Sequence, residues 1–162
     1  VAPWCNGTVG LEWPNDVVLG AAPSLGGESS AGWCKLAGVL VEARWRDAQV
    51  EWIAIGIGLN LRVSAGDAPS GALREGVTRA DVLHALIPRV RLAARAHGAF
   101  SAEEVVRWNA RDMAIGRACS APECGVVAGV QSDGALRVTM ADGSEGAHRS
   151  GSLIFVAEDV TC

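Results

Sequence analysis

The sequence predicts an α+β fold, in which a mainly antiparallel sheet is followed by two helices and then by a small β-barrel. Four apolar runs rich in Val, Ile and Leu follow one another over residues 9–61 without a long helical pattern between them, which is typical of a meandering sheet. Helical spacing of apolar residues is confined to residues 78–112. Beyond residue 115, short β-type runs alternate with Asp-Gly turns, and about 45 residues of such strands are too few for a sandwich.

Length and composition limit the classes of protein that fit. The chain has 162 residues, of which 49% are hydrophobic and 20% charged, so it is long enough for a core and too apolar to be disordered. Its net charge of −4 argues against a nucleic-acid or anionic-membrane binder, since such proteins carry basic faces. No apolar run reaches the roughly 18 residues of a membrane span. Five scattered cysteines, an odd number, predict reduced thiols and a cytoplasmic protein.

The first four strands are predicted at residues 9–12, 17–19, 36–43 and 50–61. Pro14 cannot donate to a β-ladder, and Asn15 and Asp16 favour turns, so the first two strands are expected to form a hairpin. The Gly-, Ser- and Ala-rich residues 20–34 predict a loop inserted before the third strand. Residues 62–77 predict a second loop.

The first helix is predicted to begin after Thr78, a residue type that caps helix N-termini, with Asp81 in its first turn. Gly98 is the expected C-cap. Pro88 lacks an N–H group and is expected to kink this helix or divide it in two. One buried face is predicted from the apolar residues at helical spacing, which are Val82, Leu83, Leu86, Ile87, Val90 and Ala94.

A second helix is predicted from the capping-box spacing of Ser101 and Glu104. It is expected to run to about Asp112, with Val105 and Trp108 facing inward. Both helices therefore lie between the predicted sheet and the predicted barrel.

The carboxyl-terminal strands are predicted at residues 126–130, 135–140 and 152–156. Hairpin turns are predicted at the two Asp-Gly pairs between these runs, Asp133-Gly134 and Asp142-Gly143. Because the pattern changes from helix to strand near residue 114, we expect one domain over residues 1–114 and a barrel domain over residues 115–162.

Three patches place polar or glycine residues at the edge of an apolar strand, which suits a ligand that is mostly apolar but carries an anion. They are residues 12–16 (Glu-Trp-Pro-Asn-Asp), 35–42 (Lys-Leu-Ala-Gly-Val-Leu-Val-Glu) and 55–60 (Ile-Gly-Ile-Gly-Leu-Asn). Each is a weak signal alone. Gly56 and Gly58 mark a close approach by a side chain as readily as by a ligand, and they lack the third glycine and the helix of a dinucleotide site. Lys35 alone fits a solvated strand end.

In this order, the three patches resemble the catalytic domain of biotin protein ligases, which shows a Lys-Trp-Pro-Asn-Asp turn, a Lys-Leu-Ala-Gly block and a Gly-x-Gly-x-Asn strand. The resemblance is strong over residues 9–61 and looser over the helices. The end of the chain resembles the small SH3-like carboxyl-terminal domain of many bacterial members, at residues 125–130, 133–136 and 150–152. The resemblance implies the class II synthetase-like fold of biotin and lipoate ligases, followed by an SH3-like β-barrel. Lipoate ligases share that architecture but do not normally show this combination of motifs.

The chain departs from the family pattern in two ways. The family carries a Gly-Arg-rich loop upstream of the Trp-Pro-Asn-Asp turn, preceded by residues that hold the ureido group of biotin. Neither is present, and the chain begins at Val1 without a methionine, so we expect the later part of a longer catalytic domain. Glu12 stands where the family usually has lysine, and this anion is expected to weaken ATP binding if its side chain points inward.

Members of the family join biotin and ATP to give biotinyl-5′-adenylate and pyrophosphate. They then transfer biotin to a lysine of a carrier, such as the biotin carboxyl carrier protein domain of acetyl-CoA carboxylase. The resemblance implies that Lys35 is the catalytic cation, since an ammonium can lie between the biotin carboxylate and a phosphate. The implied biotin site is Lys35, Gly38, Val39, Leu40, Gly56 and Gly58. The implied ATP site is Trp13, Asn15, Asp16, Lys35 and Asn60, with Asp16 helping to hold Mg²⁺; Trp13 fits a place in the core equally well.

A second interpretation is a catalytically inactive remnant, or an interaction module, that keeps the fold and makes no adenylate. A homodimer is left open, because the sheet mediates dimers in many relatives. The three histidines, His84, His97 and His148, do not have metal-ligand spacing, and Cys119 and Cys124 are not spaced as in a zinc site.

Overall fold

The computed structural model describes residues 1–20, 32–63 and 71–156. The centre of the predicted loop at residues 20–34 lies outside the described residues, as does part of the predicted loop at residues 62–77. In the part of the chain that is described, no helix has the length and apolarity needed to cross a membrane.

Contacts divide the described residues into two compact units. The first holds Val1–Gly10 and the described part of Asn15–Arg91, and the second holds Leu11–Pro14 and the described residues from Leu92 onward. In the second unit, the N–H of Leu11 donates to the carbonyl of Arg111 at 2.8 Å, which ties this short segment to the rest of the unit. The division groups residues by contact, and the domain boundary near residue 114 stays a prediction.

The first unit is built on a four-stranded sheet with the order β1-β2-β3-β4. Its strands are β1 (Val9–Glu12), β2 (Asp16–Leu19), β3 (Cys34–Arg46) and β4 (Gln49–Leu59). Strand β3 pairs antiparallel with both β2 and β4. The antiparallel sheet that the four apolar runs predict is therefore confirmed.

The β3–β4 hairpin extends further than its apolar runs predict. Asp47 and Ala48 form its two-residue turn, with φ angles of 49° and 64°. Positive φ at both turn residues suits the right-handed twist of the strands. Arg44 and Arg46 each form an ion pair with Glu51 at 3.1 Å near this end of the hairpin. The extension is partly polar, which is why an apolar run did not reveal it.

One face of the first sheet carries a core. Leu36 is fully buried at its centre, together with Leu73 and Val82. The partly buried residues packed against these three are Trp4, Cys5, Val9, Val17, Leu19, Leu59, Leu61, Val77 and Leu86. Strands β1, β2, β3 and β4 all contribute to this core, so the burial of one sheet face is shared by four strands.

Helix α1 (Arg79–Ala93) begins where the sequence predicts. The N–H of Asp81 donates to Thr78 Oγ1 at 3.2 Å, and the N–H of Thr78 donates to Asp81 Oδ2 at 2.9 Å. Hydrogen bonds from the hydroxyl and the N–H of Thr78 lower the pKa of Asp81. The predicted N-cap is therefore confirmed.

The course of α1 differs in part from the prediction. The helix continues through Pro88 without dividing, and a kink at Pro88 stays a prediction. It ends at Ala93 and not at Gly98, because the N–H groups of Arg95 and Ala96 donate to carbonyls three residues earlier and so tighten the chain into a turn.

The predicted buried face of α1 is wrong for Leu83 and Ile87. Val82 is buried and Leu86 packs against the core, but Leu83 and Ile87 are 46% and 48% exposed. Helical spacing identifies an apolar face, but it does not show what covers that face.

The second unit contains a five-stranded sheet with the order β8-β7-β6-β5-β9. Its strands are β5 (Ala118–Ala121), β6 (Gly125–Val130), β7 (Leu136–Thr139), β8 (Glu145–His148) and β9 (Ile154–Phe155). Strands β5 and β8 were not predicted, because both are short and lack an apolar run. Gly134 and Gly143 have φ angles of 80° and 83°, as the two Asp-Gly turns require. The antiparallel sheet is confirmed, while the SH3-like barrel stays a prediction.

Helix α2 (Ala102–Asn109) begins with the predicted capping box. Glu104 Oε2 accepts a hydrogen bond from the N–H of Ser101 at 2.8 Å, and Ser101 Oγ accepts one from the N–H of Glu104 at 3.2 Å. The helix ends three residues before the predicted Asp112. Its last residue, Asn109, bonds both the N–H and the carbonyl of Val130 at 2.9 and 3.3 Å, and so fastens α2 to β6.

The core of the second unit forms around Leu136, which is fully buried. The other buried members are Trp13, Ala114, Cys119, Val127, Val130 and Val138, and the partly buried Trp108, Leu153 and Phe155 pack against them. Arg117 lies over the ring of Phe155, with 3.5 Å between the guanidinium carbon and the ring centroid. Trp108 therefore faces inward, as the sequence predicts.

Among the described cysteines, Cys124 departs from the expected reduced state. Cys124 is disulfide-bonded, so the prediction is wrong for this residue. Cys5 and Cys34 are free thiols. Burial raises the pKa of the Cys5 and Cys119 thiols, which lowers their reactivity.

Candidate functional site

An ion pair joins two neighbouring strands of the first unit. Lys35 Nζ lies 2.6 Å from Asp16 Oδ2, and the two side chains are 58% and 24% exposed. Strand β3 bulges by one residue here, because neighbouring residues of β2 pair with Ala37 and Lys35, two positions apart. A bulge changes the alternation of side chains along a strand. It allows Lys35 to face Asp16 while Leu36 stays in the core.

Gly38 lies beside this ion pair. It is the cross-strand partner of Asp16, and a Cβ added to it would lie 3.2 Å from Asp16 Oδ1 and 3.4 Å from Lys35 Cε. The first distance is tighter than nine in ten contacts of real Cβ atoms, and the second is an ordinary van der Waals contact. A larger residue at position 38 would therefore press on Asp16 and touch Lys35.

Three glycines lie on the sheet face that carries the ion pair. Gly38 pairs with Gly58, and Leu40 pairs with Gly56, so all four residues point to the same side of the sheet. A Cβ on Gly58 would meet nothing within 4 Å, and one on Gly56 would meet only Leu40 atoms, at 3.8 and 3.9 Å. We call Gly38, Gly56 and Gly58 the glycine floor. It exposes bare strand backbone to which a flat group can lie close.

The two other predicted biotin contacts are placed differently. Leu40 lies on the face of the glycine floor and is 60% exposed. Val39 alternates to the opposite face, and its N–H donates to the carbonyl of Asn15 at 2.9 Å. Leu40 therefore lies beside the glycine floor, whereas the backbone of Val39 hydrogen-bonds β3 to Asn15.

The two predicted asparagines bond the backbone of β3. Asn15 Nδ2 donates to the carbonyl of Val39 at 3.1 Å, and Asn60 Nδ2 donates to the carbonyl of Lys35 at 3.0 Å. These bonds use part of each amide to fix the ends of the Lys35–Val39 segment. Both asparagine side chains therefore lie at the Lys35–Val39 segment, where they hydrogen-bond to its backbone carbonyls.

Trp13 is placed in the second unit, where it is 4% exposed. Its indole N–H donates to the carbonyl of Gly134 at 3.1 Å. An aromatic ring with this burial and a satisfied N–H has little surface left for an adenine, so the packing favours the alternative of a core residue. Glu12, in the same unit, is half-buried at the end of β1, and its effect on ATP stays a prediction.

The residues around Asp16 do not suit Mg²⁺. Asp16 Oδ2 is bonded to the Lys35 ammonium, and Oδ1 is buried without a hydrogen-bond donor among the described residues. Within residues 1–20, 32–63 and 71–156, no three His, Cys, Asp or Glu side chains come together as a metal site. Mg²⁺ prefers several open oxygen ligands in octahedral geometry. We therefore regard Asp16 as the partner of the ammonium and assign no reaction step to the metal.

Sequence reasoning found the members of this site but missed the contact that organises it. The pairing of Lys35 with Asp16 depends on the bulge, and a one-residue bulge leaves no mark in an apolar run. One signal was available: Lys35 is the only lysine of the chain, and all other basic side chains apart from histidine are arginines. A lone lysine among arginines indicates a position that needs a compact ammonium.

The fold of the chain is that of biotin protein ligases. The apo structure of biotin protein ligase from Aquifex aeolicus matches 90% of the chain with a TM-score of 0.63 at 17% identity. The structure of the Aquifex aeolicus enzyme in complex with biotin and ATP matches 91% with a TM-score of 0.60, also at 17% identity. The chain spans 64% and 62% of these two structures, which is less than two thirds of their length. No protein-family model and no curated protein matches the chain.

Proposed function

We propose that this chain carries the carboxylate-activating face of an ATP-dependent biotin–protein ligase. The observation that carries the proposal is the exposed Lys35 ammonium at the end of the glycine floor. The biotin-ligase fold supports it, as does the neighbour that binds biotin and ATP. The substrate classes are therefore biotin, ATP and a carrier-protein lysine.

In the first step, a biotin carboxylate oxygen attacks the α-phosphorus of ATP and pyrophosphate leaves. Two anions must approach each other, and Lys35 lowers that repulsion by placing an ammonium between them. The three N–H donors of an ammonium can serve a carboxylate and a phosphate oxygen together. The product is the mixed anhydride biotinyl-5′-adenylate.

The glycine floor suits the fused rings of biotin. Gly56 and Gly58 are exposed and have no Cβ to hold a ring away from the strand. Leu40 supplies an apolar border on the same face. A site with an apolar border and a few placed polar groups is typical of small-molecule binding. The ureido group would need donors and acceptors beyond the residues discussed above.

In the second step, a lysine amine of the carrier attacks the biotinyl carbonyl, an amide forms and AMP leaves. Lys35 stabilises the negative charge that develops on the leaving phosphate. The carrier class is a biotin carboxyl carrier protein domain, and the compartment that suits this reaction is the cytoplasm. Mg²⁺ accompanies ATP in such reactions, and no residue of this site is assigned to it.

A second candidate, an interaction module without catalysis, is favoured by the outer half of the β3–β4 hairpin. Val41, Ile53 and Ile55 lie on one face of the hairpin there and are between 39% and 58% exposed. Apolar side chains clustered in this way often mark a surface that contacts another polypeptide. This candidate predicts a folded chain that makes no adenylate.

The test is formation of biotinyl-5′-adenylate from biotin and α-labelled ATP by the purified chain. We expect the wild-type chain to form it and Lys35→Ala to lower the rate by about 10²–10³-fold, the usual effect of removing a preorganised electrostatic group. Arg46→Ala is the matched control, since Arg46 is a basic residue of the same strand that pairs with Glu51 at the outer end. A folded wild-type chain that makes no adenylate would overturn the proposal in favour of the interaction module.

A further inference from the structure

The Lys35–Asp16 ion pair has a more fixed geometry than an exposed ion pair usually has. Asp16 lies on β2 with Oδ1 enclosed and Oδ2 on the ammonium. The neighbouring backbone is fixed by the Val39 N–H bond to the carbonyl of Asn15. Asp16 is thus a rigid acceptor for a long and flexible side chain.

We propose that Asp16 is a positioning residue for the Lys35 ammonium, and that residue 38 is glycine in order to leave room for the pair. This inference rests on the proposed function, because it identifies Asp16 as the residue that orients the Lys35 ammonium of that site. It assigns Asp16 a role other than the magnesium ligand that the family resemblance implies.

The ion pair removes conformational freedom from the Lys35 side chain. A lysine side chain has four rotatable bonds, and one that is 58% exposed would otherwise spread over many rotamers. A reaction between two anions needs the cation at one place, since displacement of about 1 Å can cost about 10²-fold in rate. Asp16 holds Nζ at 2.6 Å and so limits where the ammonium can go.

The space at position 38 is limited by the ion pair. A Cβ there would lie 3.2 Å from Asp16 Oδ1 and 3.5 Å from Lys35 Nζ. At Gly58, on the same face and directly opposite, a Cβ would meet nothing within 4 Å. The two glycines therefore differ: a Cβ at position 38 would crowd Asp16, whereas one at position 58 would meet open space.

The inference also predicts a kinetic separation in an active enzyme. Asp16 places a negative charge near two anionic substrates, so Asp16→Asn removes repulsion as well as the contact that aims Lys35. The KM for ATP should fall or stay unchanged while kcat falls by at least about tenfold. A magnesium ligand would behave differently, because its loss raises the Mg²⁺ concentration that the reaction needs.

The experiment measures how fast Lys35 reacts with an amine-acylating ester in the purified full-length chain, without biotin or ATP. Because Lys35 is the only lysine, peptide mass mapping separates its label from the one on the terminal amine. We expect Asp16→Asn to react about fivefold faster than wild type, which is the factor that an adjacent opposite charge contributes even in water. Gly38→Ala should also react faster, and Gly58→Ala should match wild type.

Two internal controls separate positioning from loosened structure. Cys34, a free thiol beside Lys35, should react with maleimide at the same rate in all four proteins. In concentrated urea, Lys35 should react at the same rate in all four.

Equal Lys35 rates in native wild type and Asp16→Asn would overturn the inference. A parallel rise in Cys34 reactivity would also overturn it, because local unfolding would then explain the result. The proposed function has a separate readout, adenylate formation, so failure of either can be told from failure of the other.

Discussion

The two halves of the β3–β4 ladder contrast sharply although both are rich in apolar residues. In the inner half, Leu36 is fully buried and Ala37 nearly so, while in the outer half Trp45 is 64% exposed. The same two strands thus pass from core to solvent within ten residues. Gly38 and Gly58, which pair with each other, lie close to the transition. The candidate site is placed where the strands leave the core, so rigid backbone and open surface meet.

The largest expected effect on stability tests the difference between the buried and the exposed half of the ladder. Leu36→Ala should lower the free energy of unfolding by about 2–5 kcal/mol, since it leaves a cavity in the core. Leu40→Ala, the same change four residues along the strand, should alter it by less than about 0.5 kcal/mol. Urea denaturation followed by circular dichroism gives both values. Comparable losses at the two positions would show that Leu40 is covered in solution, and the contrast would be wrong.

A smaller effect is expected from the caps of the two helices. Ser101→Ala should destabilise the protein by about 1 kcal/mol, because it leaves the N–H of Glu104 without its acceptor. Thr78→Ala removes the matching contact from α1 and should have a similar effect. Thermal denaturation of each variant gives the comparison. No change in Tm for both variants would mean that the caps are not formed in solution.

The smallest expected effect is the pH dependence that these caps confer. Hydrogen bonds from the N–H and the hydroxyl of Ser101 lower the pKa of Glu104, as those from Thr78 lower the pKa of Asp81. A carboxyl whose pKa is lowered on folding stabilises the fold above its unfolded pKa. That contribution is lost as the pH falls through the folded pKa. The Tm of wild type should therefore fall more between pH 5 and pH 3 than that of Glu104→Gln, and identical curves would contradict this.

The sequence predicted most of the fold where local chemistry decides structure. The apolar runs of β3 and β4 and the capping boxes at Thr78 and Ser101 appear where expected, because each depends on neighbouring residues. The polar strand β8 was missed, since only its pairing partner β7 makes it a strand. Leu83 and Ile87 of α1 were mispredicted as buried, because burial also depends on which residues elsewhere in the chain cover the helix.

The candidate site was predicted less completely than the fold. Lys35, Gly56 and Gly58 were identified by their motifs, and the structure places them on one face of the first sheet. The role of Asp16 beside Lys35 could not be predicted, because it depends on a bulge that sets the direction of a side chain. Trp13 belongs to a core built largely from residues more than a hundred positions away, which no local pattern can show.

The central claim is that the Lys35 ammonium faces the reacting atoms, and one NMR measurement tests it most directly. A chain labelled with ¹³C-lysine has a single lysine Cε cross-peak, because Lys35 is its only lysine. The account predicts that a non-hydrolysable biotinyl-adenylate analogue moves this peak in a saturable way, whereas adenosine alone leaves it in place. A Cε cross-peak that does not move at millimolar analogue would contradict the account.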